Sequence, residues 1–226
     1  MEFIKCNICG SDNNKLLIKK NGYNIVQCKI CNLVYVNPQP SPKECIDLYS
    51  NAENYFQNST DSTSKRVDAN NASRLKSIIK YSKNGRILDI GCGTGSFLRM
   101  ARNHGFDVFG IEPSKDMADL LKERYNLDIT YKGFEYTDFP DEYFDVITMW
   151  DVLEHINNPM LYLSKINKIL KSGGVLFLST PNIDGLEPRL SYYTMGKLFN
   201  FWRHPEPPWH IYQFSTDTIK KLLNKA

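Results

Sequence analysis

The chain has 226 residues, of which 42% are hydrophobic, and carries a formal net charge of +3 at pH 7. This length and apolar content allow one full domain with a hydrophobic core and a small additional segment. The slight charge gives no argument for a nucleic-acid partner. Because the sequence shows neither a long apolar run nor a signal-peptide pattern, we expect a cytoplasmic protein with no membrane partner.

Four of the six cysteines form two Cys-x-x-Cys pairs near the start of the chain, separated by eighteen residues. Each pair can direct two thiolates at one ion, so the spacing predicts a four-coordinate, structural zinc site. A redox dithiol, the alternative, would leave one pair without a role. Gly10 and Asn32 fit the turns after the pairs, and residues 23–27 predict a strand. The predicted zinc ligands are Cys6, Cys9, Cys28 and Cys31.

A proline-rich stretch, residues 37–42, follows the second cysteine pair. It predicts a boundary between a zinc ribbon in residues 1–42 and a larger domain in residues 43–226. The ribbon is too short for much hydrophobic core, so the metal must supply much of its folding free energy. Beyond the boundary, residues 43–49 predict a short helix, and the polar residues 51–64 predict a loop or lid.

The larger domain alternates helical and strand patterns. Strands are predicted at residues 86–90, 108–112, 127–131, 144–149 and 175–179, with the glycine pair at 173 and 174 ending the helix before the last one. Such repeated units predict an α/β fold with a doubly wound, mostly parallel sheet and right-handed crossovers. The apolar positions of the four predicted helices are Val67, Ala72, Leu75, Ile78 and Ile79; Phe97, Leu98 and Ala101; Met117, Leu120 and Leu121; and Leu163, Ile166, Ile169 and Leu170.

Residues 87–98 give the strongest functional signal, because they predict a buried strand, a glycine turn and the start of a helix. Glycine lacks a Cβ, so a ligand can lie against bare backbone there. Glu112, twenty-one residues after the first glycine, ends the next predicted strand, where an acid suits a ribose diol. The spacing is D-x-G-x-G-x-G, whereas nicotinamide and flavin folds favour G-x-G-x-x-G. Its members are Asp89, Gly91, Gly93 and Gly95.

With its neighbouring segments, this motif resembles that of the bacterial class I S-adenosylmethionine (SAM) methyltransferases that carry an N-terminal zinc ribbon. The resemblance implies transfer of a methyl group from SAM to a small-molecule acceptor, frequently a sugar or another metabolite of a surface-polysaccharide pathway. It covers nearly the whole chain. The shared pieces are the two cysteine pairs, Asn37-Pro38-x-Pro40, Tyr55-Phe56, the glycine motif, Phe144-Asp145-Val146-Ile147, Leu153-Glu154-His155, Pro181-Asn182 and Pro208-x-His210-x-Tyr212-x-Phe214-Ser215.

The resemblance also implies roles for individual residues. The glycines would line the methionine end of SAM, Asp89 would engage its ammonium directly or through water, and Glu112 would hold its ribose. Phe134 and Glu135 would lie near the adenine, while Trp150 and Asp151 would lie between cofactor and acceptor. The cofactor-binding residues implied in this way are Asp89, Gly91, Cys92, Gly93, Gly95, Glu112, Pro113, Glu135 and Trp150.

An acceptor hydroxyl profits from a base, and the predicted catalytic residues are His210, His155 and Asp151. His155 can equally be a histidine that caps or packs locally. At i, i+3 and i+4 of a helical turn, Asp151, Glu154 and His155 would share one face and could bind a divalent ion. Quinone-pathway O-methyltransferases, which this segment resembles, use such a set for magnesium, with Glu where Asp151 stands. If no ion binds, Asp151 and Glu154 are acids in the first turn of a helix, where the helix dipole stabilises negative charge.

Other functions remain open at this stage. An RNA methyltransferase could bind RNA through a basic zinc ribbon, but residues 150–151 lack the Asn/Asp-Pro-Pro-aromatic sequence of base methylators. A non-catalytic SAM-binding module and an NAD-dependent oxidoreductase are further alternatives. Ser215 predicts the start of an amphipathic helix after which the sequence stops, whereas similar proteins continue with two strands. We therefore expect a C-terminally incomplete domain, with an apolar edge strand at residues 175–179 through which copies can associate.

Overall fold

The computed structural model describes residues 1–41, 44, 61–196, 202 and 205–226. The predicted helix at residues 43–49, apart from Glu44, and Tyr55-Phe56 lie outside these residues. The chain forms two compact units. The first unit contains Met1–Leu48, Asp151–Leu163 and Thr180–Ala226, and the second contains Tyr49–Trp150 and Ser164–Ser179.

The elements alternate as the sequence predicts. The strands are β1 (Asn14–Lys20), β2 (Tyr23–Cys28), β3 (Val34–Val36), β4 (Gly85–Ile90), β5 (Phe106–Ile111), β6 (Asp128–Thr130), β7 (Phe144–Trp150), β8 (Leu170–Ser179) and β9 (Tyr212–Gln213). The α-helices are α1 (Asp61–Ile78), α2 (Ser96–His104), α3 (Lys115–Tyr125), α4 (Pro159–Ile169), α5 (Leu186–Ser191) and α6 (Thr216–Leu223). Short 3-10 helices cover Phe134–Tyr136 and Leu153–His155, and a π-helix covers Tyr192–Gly196.

The second unit is built on a parallel sheet with the strand order β6-β5-β4-β7-β8. The strand order reverses between β4 and β7, so this is the doubly wound, Rossmann-like sheet that the sequence predicts. Its strands are nearly continuous apolar runs because helices pack on the sheet. In α2 the predicted stripe of Phe97, Leu98 and Ala101 is buried, and Gly105 ends the helix with a left-handed φ of 108°.

Helix α1 differs from its prediction in length and in register. It includes residues 61–64, which the sequence assigns to a loop. Val67 and Ala72 are exposed, whereas Asn71 is buried and donates a hydrogen bond to the Ser96 hydroxyl at 2.8 Å. The polar contact with Ser96 rotates the buried face away from the predicted one, and Leu75 and Ile78 remain the apolar anchors.

The helix-to-strand connection at residues 170–174 was also predicted incorrectly. Helix α4 ends at Ile169, and β8 starts at once with Leu170 and runs through both glycines. Phe144 pairs with Leu170 but Val146 pairs with Val175, so β8 bulges between them. Gly173 has a φ of 78°, a conformation that glycine adopts without strain, which permits the bulge.

The first unit contains an antiparallel sheet with the order β1-β2-β3-β9. A two-residue turn, Asn21-Gly22, joins β1 to β2, and both residues have the positive φ that such a hairpin requires. The C-terminal β9 pairs with β3, Tyr35 opposite Tyr212. The sheet formed by β1, β2 and β3 therefore includes a strand, β9, from near the other end of the sequence. The domain boundary at residue 42 stays a prediction.

Helix α6 begins as predicted. The Ser215 side chain accepts from the Thr218 amide, and Thr218 caps the Ser215 amide in return, which satisfies two amides at the helix start. Strand β8 lies at one end of the parallel sheet, and association of copies through it stays a prediction. Within the described part of the chain, no helix is both long and apolar enough to cross a membrane.

Candidate cofactor site, thiolate site and acid-histidine cluster

The glycine turn joins β4 to α2 at the carboxyl ends of the parallel strands. Gly91, Gly93 and Gly95 all have left-handed φ angles, of 74°, 52° and 65°. A Cβ on Gly93 would meet no atom within 4 Å, whereas one on Gly95 would lie 3.0 Å from a Leu121 methyl group. Gly95 therefore allows α2 to pack closely, and Gly93 leaves an open, backbone-lined space. Such a space at this end of the sheet is where the fold binds ligands.

Glu112 lies directly after β5 and borders the glycine turn. One carboxylate oxygen accepts from the Gly93 amide at 2.9 Å, and the other accepts from the Ser114 amide at 3.0 Å. The two bonds fix a negatively charged group beside the open space at Gly93. A carboxylate in this position can accept hydrogen bonds from a ribose diol, in the arrangement that the sequence predicts.

Asp89 lies at the sheet's interior, one residue before β4 ends, and is 2% exposed. The Thr148 hydroxyl on β7 donates to its carboxylate at 2.6 Å. Burial raises the pKa of Asp89 to about 7, although Thr148 and the positive charge of Arg74 act in the opposite direction. Asp89 thus joins β4 to β7, and Thr148 is a partner that sequence reasoning missed.

The raised pKa makes a testable prediction about stability. A carboxyl whose folded pKa is about 7, against about 4 when unfolded, binds more protons in the native state between these pH values. The unfolding free energy contributed by Asp89 therefore falls as pH rises from about 4 to about 7. We expect Asp89→Asn to have a flatter pH dependence than the wild type in urea unfolding at pH 5.0 and 7.5. Equal pH dependence in both proteins would contradict the assignment.

Helix α1 supplies a cation beside the end of β7. The Arg74 guanidinium lies over the Trp150 ring at 4.4 Å, and the Phe97 ring makes an edge contact with the same indole at 5.7 Å between centroids. Cation-π contacts of this kind hold both groups in place. Next to them is a cleft of about 310 Å³, lined by Asn70, Ser73, Arg74, Ser77, Trp150 and Phe177. The sequence analysis missed Arg74, although its spacing from Asn71 puts both on one face of α1.

The adenine side of the predicted site is less defined. Phe134 is buried and Glu135 is exposed in the 3-10 helix that follows β6. Lys165 from α4 donates to the Phe134 carbonyl at 2.7 Å, so the turn is fixed by a cation. Pro113 is exposed after β5, and Cys92 is buried. The roles of these residues at the cofactor stay predictions.

The four predicted zinc ligands converge in the first unit, with all four sulfur atoms within 4.8 Å of one another. Cys6 Sγ lies 3.3 Å from Cys31 Sγ, and Cys9 Sγ lies 3.5 Å from Cys28 Sγ. A tetrahedral zinc site with 2.3 Å bonds would place its sulfurs about 3.8 Å apart, so the residues fit the ion. The left-handed residues after the knuckles are Gly10 and Asn32, as predicted.

The knuckle backbone also stabilises thiolate. Burial raises the pKa of Cys28, but amide N–H groups of Cys31 and Ile30 lower it, and the resulting value is about 7. Gly10 donates to the Cys6 carbonyl at 2.8 Å and Asn32 to the Cys28 carbonyl at 3.1 Å, which closes each turn. The backbone of the second knuckle thus favours the thiolate of Cys28, the form that zinc requires, whereas burial raises the pKa of Cys31 and of Cys6.

A second group of side chains that could ligate a metal lies in the first unit and is called the acid-histidine cluster. It consists of Glu154, His155 and His210, one ligand atom of each lying within 4.8 Å of the others. The Ile211 amide donates to the Glu154 carbonyl at 2.9 Å, which brings the two segments together. The histidine rings lie 4.9 Å apart between centroids. The predicted set contained Asp151 where this group has His210. Asp151 has a left-handed φ of 56°, so no helical turn leads from it to Glu154.

Burial dominates the electrostatics of this cluster. Desolvation raises the pKa of Glu154 to about 7, with the Thr180 hydroxyl acting in the opposite direction. Desolvation lowers the pKa of His155, opposed by the Trp209 carbonyl and by the charge of Asp151. Asp151 is exposed and acts on the cluster through its charge. A buried carboxyl group with a raised pKa and two neighbouring imidazoles can accept or hold a proton.

Comparison with known proteins decides the family. A family profile described as "Methyltransferase domain" matches residues 64–226, well over half of the chain. The chain belongs to this methyltransferase family. The matched region contains the glycine turn, Glu112 and the acid-histidine cluster, and the zinc ribbon lies outside it.

Curated relatives support the same family. A ubiquinone biosynthesis O-methyltransferase from Coxiella burnetii is 34% identical over 105 residues, which cover 44% of this chain and 45% of the relative. The mitochondrial enzyme of the same name from Candida albicans is 36% identical over 152 residues, covering 62% of this chain and 42% of the relative. The methyltransferase chain thus spans about half the length of the curated relatives that it matches.

Solved structures show the same fold. A SAM-dependent methyltransferase from Archaeoglobus fulgidus matches with a TM-score of 0.56 and 24% identity, covering 78% of this chain and 72% of that one. One from Thermotoga maritima matches with a TM-score of 0.51 and 25% identity, covering 69% of each chain. The methyltransferase fold is therefore established, and the sequence analysis named it correctly.

Proposed function

We propose that the protein binds SAM and transfers its methyl group to a hydroxyl of a small molecule, a sugar or another metabolite of a polysaccharide pathway. The observation that carries the proposal is the glycine turn with Glu112 bonded to the Gly93 amide. It combines a space where a ligand can approach bare backbone with a carboxylate for a ribose. Membership of the methyltransferase family supports SAM as the ligand.

Within the cofactor site, each group has a proposed role. Gly91, Gly93 and Gly95 line the methionine end, and Glu112 accepts from the ribose hydroxyls. Arg74 is an addition from the structure: its guanidinium, held on Trp150, suits the carboxylate of the methionine moiety. Asp89, which is buried and bonded to Thr148, is proposed to engage the ammonium of the methionine moiety directly or through water.

The reaction is an in-line displacement at carbon. The acceptor oxygen forms a bond to the methyl carbon while the carbon–sulfur bond breaks. The electron pair of the broken bond stays on sulfur and neutralises the sulfonium. Much of the rate enhancement comes from holding the two reactants in line. The proton of the acceptor hydroxyl must also leave, and we assign its removal to the cluster that contains His155 and His210.

The acceptor class rests on two arguments. Curated relatives are named ubiquinone biosynthesis O-methyltransferases, which supports a small molecule and an oxygen atom as the methylated group. The resemblance to methyltransferases with zinc ribbons favours a sugar within this class. We further propose that the four thiolates hold a structural zinc ion, because their mutual distances match a closed tetrahedral site and three of the four cysteines are buried.

Transfer of a labelled methyl group tests the proposed function. Protein and SAM labelled at the methyl group are incubated with separate pools of sugar nucleotides, free sugars, phenols and transfer RNA, and label in each product is counted. We expect label in a sugar pool and a loss of about 10²- to 10⁴-fold in His210→Ala. His104→Ala changes an exposed histidine on α2 and serves as the matched control. Label in RNA alone, or in no pool while SAM is bound, would overturn the proposal.

A further inference from the structure

We propose that Glu154, His155 and His210 form a second metal site, which binds a divalent transition-metal ion through one carboxylate and two imidazoles. This inference deepens the proposed function, because it names a cofactor for the cluster that handles the acceptor proton. Metal binding is measured without methyl transfer, so the two proposals can fail separately. The site is distinct from the thiolate site because its donors are nitrogen and oxygen atoms.

The geometry of the donors carries the inference. One ligand atom from each of the three residues lies within 4.8 Å of the other two, as expected for groups that surround a single ion. Glu154 is 1% exposed, and among the residues that the structure describes neither of its oxygens makes a hydrogen bond of good geometry. The Thr180 hydroxyl is close enough to lower the pKa of Glu154, but it too makes no hydrogen bond of good geometry. A buried carboxylate needs a compensating charge or donor, and a cation between it and the two imidazoles would provide one.

The hydrogen bond of His155 supports the same conclusion. Its Nδ1 lies 2.6 Å from the Trp209 carbonyl oxygen. A carbonyl can only accept, so Nδ1 carries the proton and the neutral ring has its lone pair on Nε2. A ligating histidine ordinarily donates its other ring N–H to a carbonyl or carboxylate, which fixes the tautomer and the ring plane. The Trp209 carbonyl fixes the His155 ring in this way.

The donor set indicates the class of ion. Two histidines and one carboxylate are the ligands of open zinc sites and of non-haem iron sites. Magnesium and calcium prefer oxygen ligands to imidazole. Three protein ligands leave further coordination positions for an acceptor oxygen. An ion in this place would lower the pKa of a coordinated hydroxyl and so help to release its proton. His155 and His210 then orient the acceptor through the ion.

Cobalt(II) uptake by protein that carries one equivalent of zinc, enough for the thiolate site alone, provides the test. Cobalt binds more weakly than zinc and therefore leaves the thiolate site undisturbed. After equilibrium dialysis against Co²⁺, we expect one zinc and one cobalt ion per chain by elemental analysis. Glu154→Gln and His210→Ala should each weaken cobalt binding at least tenfold with the zinc content unchanged, which also shows that the ribbon has folded. Asp151→Asn tests whether Asp151 is a ligand in place of His210. His104→Ala changes an exposed histidine on α2, is the matched control and should retain cobalt.

Three results would overturn the proposal. They are no cobalt beyond the zinc content, unchanged cobalt affinity in both Glu154→Gln and His210→Ala, or loss of cobalt in Asp151→Asn alone. The visible spectrum of the wild-type complex is a further check that needs no variant. Ligand-field bands without thiolate charge transfer support nitrogen and oxygen donors, whereas a thiolate band would place the cobalt on the cysteines. If methyl transfer fails while cobalt binds as expected, the metal site stands and the proposed reaction does not.

Discussion

Replacing Cys28 by serine should abolish zinc binding and unfold the sheet formed by β1, β2, β3 and β9. Cys28 is fully buried at the end of β2, and its amide bonds to the Leu33 carbonyl at 2.9 Å, so it joins the sheet to the knuckle. Structural zinc contributes about 10 to 16 kcal/mol in small zinc-folded peptides, which exceeds the stability of most domains. Zinc content by elemental analysis and amide hydrogen exchange across residues 14–36 measure the effect.

The matched control is Cys92→Ala, which removes a buried thiol outside the zinc cluster. It should retain one zinc ion per chain and leave the exchange of residues 14–36 unchanged. If Cys28→Ser retained stoichiometric zinc, or lost zinc without any faster exchange in the sheet, the metal would not be the structural element that we propose.

Replacing Glu112 by alanine should weaken SAM binding by about 10- to 100-fold. The bound ribose would lose two charge-assisted hydrogen bonds to the carboxylate, each worth about 1.5 to 3 kcal/mol. Part of this loss is offset because the carboxylate no longer has to be desolvated when SAM binds. The change also removes the acceptors of the Gly93 and Ser114 amides and so loosens the turn. Isothermal titration calorimetry with SAM measures the loss directly.

Two variants separate ribose binding from loosening of the turn. Glu112→Gln keeps one carbonyl oxygen for an amide and should lose less affinity than Glu112→Ala. Glu123→Ala removes an exposed acid from α3 and should bind SAM like the wild type. Unchanged SAM affinity in Glu112→Ala would remove the ribose role from this residue.

Local sequence patterns were sufficient to predict most of the fold. The glycine turn, the apolar stripe of α2 and the Ser215 cap depend on neighbours within a few residues, and each is found where it was predicted. The errors arise where distant residues or unusual backbone decide the outcome. Asn71 is buried because it bonds to Ser96 in another helix, and the bulge at Gly173 extends β8 into a predicted helix end.

The same distinction applies to the candidate sites. Spacing alone brought the four cysteines together, because each knuckle is a local turn. The third member of the acid-histidine cluster depends instead on the bond from Ile211 to Glu154, which joins segments far apart in the sequence. The left-handed φ of Asp151 could not be read from its neighbours, and Arg74 is recognisable only from its place over Trp150.

Calorimetric titration of the wild-type chain with SAM and, separately, with NAD⁺ tests the central claim most directly. The glycine turn and Glu112 are assigned to SAM, and the D-x-G-x-G-x-G spacing argues against a pyrophosphate cofactor. We predict saturable binding of one SAM per chain and no binding of NAD⁺. Binding of NAD⁺ in preference to SAM, or no binding of SAM by the folded protein, would contradict the account.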